Sequence, residues 1–128
     1  MTIFNITGGG ASGVTFKDMT SGSYEIKASD WGGHYTQIPQ YYFAYDNLLA
    51  SIEIPQGVTS IGGGAFRSIG TNTTGSVITM LESTPPTLAS NAFQSANISK
   101  IIVPQGSLTA YQTATNWATY ANLMEEAT

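Results

Sequence analysis

The chain has 128 residues, of which 41% are hydrophobic and only 9% are charged, and its net charge at pH 7 is −4. The chain has only four basic residues, too few for the clusters of lysine and arginine that bind nucleic acid or an anionic membrane surface. The absence of cysteine excludes disulfides and thiolate sites, and one histidine, His34, cannot form a histidine-rich metal centre. We therefore expect no cofactor, no metal, no nucleic-acid partner and no membrane insertion.

Residues 1–34 predict a β-rich N-terminal module. The stretches "TIFNIT", "GVTFKDM" and "SYEIKAS" alternate apolar and polar residues between Gly-rich turns, as short strands do. The module is either a cap for the remainder of the chain or an arm that docks onto a larger particle. The first residues lack the basic and apolar regions of a signal peptide, so synthesis in the cytoplasm without export is expected.

An internal repeat is predicted over residues 35–106. Three copies share a phenylalanine and an apolar residue five positions before it. The pairs are Ile38 with Phe43, Ile61 with Phe66, and Leu88 with Phe93. The glycines of "IGGGAF" lie in the turn between the two members of the second pair, and the segment Gly70–Ser76 is a loop insertion before the third copy.

A strand is predicted after each phenylalanine. Its inward residues follow an L-x-x-I-x-I frame, and two copies end in Pro-Gln-Gly, which stops a strand. The frame residues are Leu49, Ile52 and Ile54, then Ile78 and Met80, then Ile98, Ile101 and Val103. Intervals of 20 to 29 residues with a short strand per unit are typical of leucine-rich repeats.

The segments "LLASIEIPQGVTSIGGGAF" and "STPPTLASNAFQSANISKIIVPQGSLTAYQTATNWATYA" resemble the BspA-like leucine-rich repeat family, including the end of its arrays. The resemblance covers Tyr35 to Ala121. It departs from the family where Asp46 and Ile69 replace a small residue or cysteine, and in the insertion after Phe66. The resemblance implies a mainly β fold with short helices: a short solenoid of about three coils between the N-terminal module and a C-terminal cap.

The C-terminal segment, residues 107–128, is predicted to be a short helical cap. Tyr111, Trp117 and Tyr120 fall near helical spacing and would cover the last coil. The alternate residues of the repeat strands should line the exposed sheet and are the candidate contact residues. They are Ser51, Glu53, Thr79, Leu81, Lys100 and Ile102; among these, Leu81 and Ile102 are expected to be adjacent on neighbouring coils.

No catalytic residues are predicted. "GGGASG" matches a dinucleotide fingerprint, but a strand comes after it where a helix is required. Ser29, Asp30 and His34 lie in one short stretch without a nucleophile elbow. The carboxylates are scattered, so a carbohydrate-active enzyme would need two of them to converge in a cleft.

The sequence therefore predicts a non-enzymatic structural or adhesive protein. The resemblance, with the missing signal peptide, favours a phage particle, as a head fibre, capsid decoration or tail component. The alternative is the terminal fragment of a secreted bacterial surface adhesin. Expected partners are other virion proteins, or a bacterial or host surface protein or glycan. A homo-oligomer is expected too, since fibres and decorations are commonly trimers.

Overall fold

A computed structural model describes residues 24–28 and 36–128. Short strands dominate this part of the chain, with one α-helix and one 3₁₀ segment near its end. The strands are β1 Tyr24–Ile26, β2 Gln37–Ile38, β3 Leu49–Ile54, β4 Ser60–Ile61, β5 Ser76–Met80, β6 Thr87–Leu88, β7 Ile98–Val103 and β8 Met124–Glu126. The helix α1 spans Leu108–Thr113, and the 3₁₀ segment spans Ala118–Leu123. The predicted strands within residues 1–23 lie outside the described residues.

The strands form two parallel sheets whose members alternate along the chain. One sheet has the order β1-β3-β5-β7-β8 and the other the order β2-β4-β6. Each repeat thus contributes one longer and one shorter strand, each beside its equivalent in the next repeat. The fold is mainly strand with few short helices, as the sequence predicts.

The register between strands stacks equivalent apolar residues into columns. In the five-stranded sheet one column pairs Ile26, Ile52, Ile78, Ile101 and Met124 in succession. In the three-stranded sheet Ile38 pairs with Ile61, and Ile61 with Leu88. All eight side chains are buried. Burying a Leu or Ile side chain contributes about 1.5–3 kcal/mol, so these columns supply much of the driving force for folding.

The phenylalanines of the repeat form a third column. The Phe43 and Phe66 rings stack with centroids 5.2 Å apart, and the Phe66 and Phe93 rings with centroids 5.3 Å apart. All three side chains are buried. Offset aromatic pairs at this distance add to the energy of burial itself. The column continues into the C-terminal segment, where Phe93 meets the edges of Trp117 and Tyr120.

The core residues predicted from the repeat are buried with one exception, Ile98, which is partly buried. The register shifts at this point: Ser76 pairs with Ile98, but Val77 pairs with Lys100. Ser99 is therefore an extra residue on β7, as Ala50 is on β3, where Tyr24 pairs with Leu49 but Glu25 pairs with Ser51. The three-residue step of the L-x-x-I-x-I frame spans this extra residue in both strands, and Leu49, the equivalent of Ile98, is buried. Ser76, buried in the adjoining position, donates from its hydroxyl to the Leu49 carbonyl at 2.6 Å.

The C-terminal segment is not wholly helical, contrary to the prediction. After α1 and the 3₁₀ segment, β8 pairs in parallel with β7 and extends the five-stranded sheet. The physical reason is the open edge of β7, whose backbone groups need partners. Met124 points into the core, whereas Glu125 and Glu126 stay exposed at the new edge. At the other edge β1, within the predicted N-terminal module, pairs with β3.

The insertion between the second and third repeats, predicted as a loop, is anchored from the third repeat. The Asn97 side-chain amide donates to the Gly70 carbonyl at 3.1 Å and to the Thr73 carbonyl at 3.2 Å. Gly70 and Gly75 have φ of +68° and +123°. Hydrogen bonds to segments on both sides thus satisfy backbone groups of the loop.

Two of the consecutive glycines in "IGGGAF" are required by close contacts. A Cβ on Gly62 would lie 2.9 Å from the Gln40 backbone nitrogen of the preceding repeat. Gly64 has φ of +66°, and a Cβ there would overlap the Tyr41 ring. Adjacent repeats approach each other here as closely as glycine allows.

We expect Gly64→Ala to lower the free energy of unfolding by about 1–2 kcal/mol through left-handed strain, plus a further loss from contact with the Tyr41 ring. Gly106→Ala is the matched control, because Gly106 also has positive φ, at +85°, but its Cβ would meet nothing within 4 Å. Urea denaturation of both variants separates the cost of left-handed strain from the cost of contact with the Tyr41 ring. Equal losses in both variants would show that the ring contact costs nothing.

Candidate functional site

The strand face, defined as the outward side of the five-stranded sheet, carries the six contact residues predicted from sequence. Register places Ser51 beside Val77, and Val77 beside Lys100. In the next row Glu53, Thr79, Ile102 and Glu125 are successive partners. The six predicted residues are all partly exposed, and five of them lie in these rows. They are Ser51, Glu53, Thr79, Leu81, Lys100 and Ile102.

The predicted adjacency of Leu81 and Ile102 is only diagonal. Ile102 lies directly opposite Thr79, and Leu81 comes two positions later, just beyond the end of β5. Sequence reasoning missed Val77, which is also partly exposed on this face. Its position two residues before Thr79 on the same strand was the available signal.

The charged groups described on the strand face contact neighbouring strands. Lys100 Nζ lies 3.3 Å from Glu125 Oε2, between β7 and β8. Glu53 Oε1 accepts the Ala28 backbone N–H at 2.7 Å, which links β3 to the segment after β1. Exposed ion pairs contribute little to stability, so their main effect is to leave the face with both signs of charge interspersed.

Glutamates at the ends of the strands hold the Pro-Gln-Gly turns. Glu82 Oε1 accepts the Gly57 N–H at 2.9 Å, and Glu126 Oε2 accepts the Gly106 N–H at 3.0 Å. Hydrogen bonds from the backbone N–H groups of Gly57 and Thr84 lower the pKa of Glu82 below its usual 4.5. The ionised carboxylate is therefore the form that fixes the turn.

We expect Glu82→Gln to reduce the melting temperature slightly at pH 7, and the difference from wild type to vanish in acid. Because the folded-state pKa is depressed, the stabilisation is present above pH 4.5 and is lost as pH falls through the folded pKa. Because Glu82 lies near the surface, the stabilisation by its ionised carboxylate should stay under about 1 kcal/mol. Thermal unfolding at a series of pH values measures it. Glu25→Gln, which removes an exposed carboxylate beside Lys27, is the control. A lower melting temperature of Glu82→Gln that persists at low pH would contradict this role of the carboxylate.

The C-terminal segment closes the three-stranded sheet with side-chain donors. Within that sheet the Gly62 N–H donates to the Ile38 carbonyl, and the Ala89 N–H to the Ile61 carbonyl. At the last strand, the Leu88 carbonyl accepts instead from Asn116 Nδ2 at 2.7 Å. Side-chain donors thus occupy the place of the next repeat's backbone.

Buried aromatic side chains fix this segment to the last repeat. Trp117 is fully buried, and its Nε1–H donates to the Pro86 carbonyl at 2.7 Å. The Tyr111 hydroxyl donates to the Glu82 carbonyl at 2.6 Å, and burial raises the pKa of Tyr111 above its usual range. Tyr120 is half-buried and meets the Phe93 ring edge-on with centroids 5.3 Å apart. These three predicted cap residues all contact the third repeat or the segment that precedes it.

A second surface, formed by the turns around the phenylalanines, was missed by the sequence reasoning. It exposes Tyr41 and Tyr45, which are 54% and 61% accessible. The signal lay in the repeat alignment: Gly64 and Asn91 occupy the place of Tyr41, and Ser68 and Ser95 occupy the place of Tyr45. The other repeats fold with smaller side chains at both positions, so the turn itself does not require an aromatic residue there.

Two surface depressions lie along Pro85–Thr87. The larger, of about 470 Å³, includes Glu82 and Thr59, and the smaller, of about 340 Å³, includes Asn116. Between them they contain one carboxylate, so neither forms the paired-acid cleft of a glycoside hydrolase. In the described part of the chain no group of three metal-ligating side chains occurs. The helices described there are too short to cross a bilayer.

Parallel strands at regular intervals, with stacked isoleucines and phenylalanines between them, define the class as a β-strand repeat protein. Residues 36–120 match the family described as the BspA type leucine-rich repeat region (6 copies). The match covers most of the chain, and the chain belongs to this family. No curated protein matches the sequence.

Proposed function

We propose that the chain is a non-enzymatic structural or adhesive protein of a phage particle, as a head fibre, capsid decoration or tail component. The observation that carries the proposal is the strand face. It extends across five parallel strands, with register shifts between β1 and β3 and between β5 and β7, and presents partly exposed apolar and charged side chains together. Membership of a leucine-rich repeat family suggests that this face is a surface for protein interaction or adhesion.

In this proposal the repeats form a short solenoid of about three coils. The stacked rings of Phe43, Phe66 and Phe93 support it, since each ring belongs to one coil. The C-terminal segment acts as the terminal cap that repeat arrays require, because Asn116 and Trp117 satisfy the exposed carbonyls of the last coil.

The proposed partners are other virion proteins, or a bacterial or host surface protein or glycan, and further copies of this chain. The low charge content supports neutral recognition over binding to nucleic acid or a membrane. A short array gains buried area by self-association, so we propose a homo-oligomer, with a trimer as the expected stoichiometry.

The second candidate is part of a secreted bacterial surface adhesin, located on the cell surface. The same strand face and neutral composition would serve it, because an adhesin also meets its target through a repeated surface. The two candidates differ in location and in assembly.

Light scattering of the purified chain tests the assembly part of the proposal. The full chain should have the mass of a discrete oligomer. Deletion of residues 1–23, which retains β1 and its pairing with β3, should give a folded monomer if the N-terminal module drives assembly. A full chain with the mass of a single subunit would contradict self-association and would favour the adhesin.

A further inference from the structure

We propose that the turn surface of the first repeat binds a neutral, β-linked glycan. This aromatic turn surface consists of Gln40, Tyr41, Tyr45, Gly63 and Asn91, and it is separate from the strand face. The inference rests on the proposed binding role and gives it a ligand class.

The two tyrosines are the exposed large hydrophobic side chains of the described residues. Tyr45 has φ of +65°, and the equivalent Ser68 and Ser95 have +58° and +61°. The left-handed turn is therefore a property of every repeat, and a small polar residue satisfies it. An aromatic residue in this left-handed conformation costs more conformational free energy than a serine does. Since the Tyr45 ring also faces solvent, the fold alone does not account for a tyrosine at this position.

The backbone at both tyrosines is hydrogen-bonded to the second repeat, and each ring contacts one residue of that repeat. The Tyr45 N–H donates to the Arg67 carbonyl at 2.7 Å, and the Tyr41 N–H donates to the Gly63 carbonyl at 3.1 Å. The Arg67 guanidinium lies 5.7 Å from the centroid of the Tyr45 ring. The Tyr41 ring lies against Gly64, where a Cβ would collide with it. A ligand would thus meet rings that are already positioned, which reduces the entropy cost of binding.

Gly63 lies between two side-chain amides from neighbouring repeats. A Cβ built on Gly63 would be 3.0 Å from Asn91 Oδ1 and 3.7 Å from Gln40 Nε2. The glycine thus lets the Asn91 and Gln40 side-chain amides approach the turn closely, so that amide donors and acceptors lie on both sides of it. Gly63 has no positive φ, so backbone conformation does not require glycine here.

This combination fits a sugar. The C–H face of a pyranose ring is apolar and weakly positive, so it complements the negative face of a tyrosine ring. Side-chain amides can donate to and accept from the hydroxyl groups at the ring edge. β-1,4-linked glucose and N-acetylglucosamine carry equatorial substituents and present the flattest C–H faces. The surface comprises five residues, whereas a stable protein interface uses roughly 20–30 residues on each side, which favours a glycan over a protein.

The test is an NMR titration of the ¹⁵N-labelled full chain with cellotetraose and chitotetraose, with α-linked maltotetraose for comparison. We expect saturable shifts at Tyr41, Tyr45, Gly63 and Asn91 with at least one β-linked probe. Tyr41→Gly and Tyr45→Ser copy the residues of the later repeats and should retain the fold. Combined, they should raise the dissociation constant at least about tenfold.

Gln56→Ser, at an exposed turn position outside both surfaces, is the control variant and should bind the probe as wild type does. No shift with either β-linked probe up to about 10 mM would overturn the proposal, as would undiminished binding by the double variant. Shifts that map to the strand face and are lost in Leu81→Ser would also overturn it, but would support the proposed function.

Discussion

Replacing Phe66 by alanine should lower the free energy of unfolding by about 3–5 kcal/mol, the largest effect expected from a single repeat residue. Phe66 is fully buried, and its ring stacks on Phe43 on one side and on Phe93 on the other. Its loss opens a cavity between neighbouring repeats that the rigid strands on either side cannot close. Urea denaturation monitored by circular dichroism measures the change.

Two variants make the Phe66 result specific. Phe66→Leu fills most of the space and should cost less than half as much as Phe66→Ala. Tyr45→Ser also removes an aromatic ring from a turn, but the Tyr45 side chain is 61% accessible, and the change should stay within about 0.5 kcal/mol. Similar losses for Phe66→Ala and Tyr45→Ser would mean that the ring column does not hold the repeats together.

The second large effect is expected at the C-terminal end, where Trp117→Ala should lower the free energy of unfolding by about 3–5 kcal/mol. The fully buried indole meets the rings of both Phe93 and Tyr111, and its Nε1–H donates to the Pro86 carbonyl. Without it, the last repeat exposes both an apolar face and an unsatisfied carbonyl.

Trp117→Phe separates the hydrogen bond from the packing. It retains an aromatic ring but removes the donor. Leaving the buried Pro86 carbonyl without a hydrogen bond should lower the free energy of unfolding by about 1–3 kcal/mol. Hydrogen exchange should show faster opening of β6 than of β3 in both variants, since the loss is at one end of the array. Uniform loss of protection along the chain would contradict a local closing role for Trp117.

The repeat could be predicted from sequence because its signal is local and periodic. Ile38, Ile61 and Leu88 stand at the same offset from their phenylalanines, and the structure places them side by side in one sheet. A pattern repeated three times fixes the register as well as the strands. The frame treats Leu49 and Ile98 as equivalent positions, so it carries no signal for the partial exposure of Ile98.

The ends of the array were less predictable because their partners are distant in sequence. β8 has no apolar alternation of its own and forms because the edge of β7 is available. Asn116 is one of many polar residues, and only the structure shows that its amide occupies the place of a backbone donor. The candidate strand face could be predicted from alternation along each strand, but Tyr41 and Tyr45 needed a comparison between repeats that asks where large residues replace small ones.

The central claim is that this repeat protein works as a component of a phage particle. Mass spectrometry can test it on density-gradient-purified particles and on the surface-protein fraction, both from cells that carry the gene. The account predicts peptides of this chain in the particles, in fixed proportion to the capsid proteins. Their absence from the particles, with enrichment in the surface-protein fraction, would contradict the account and establish the adhesin in its place.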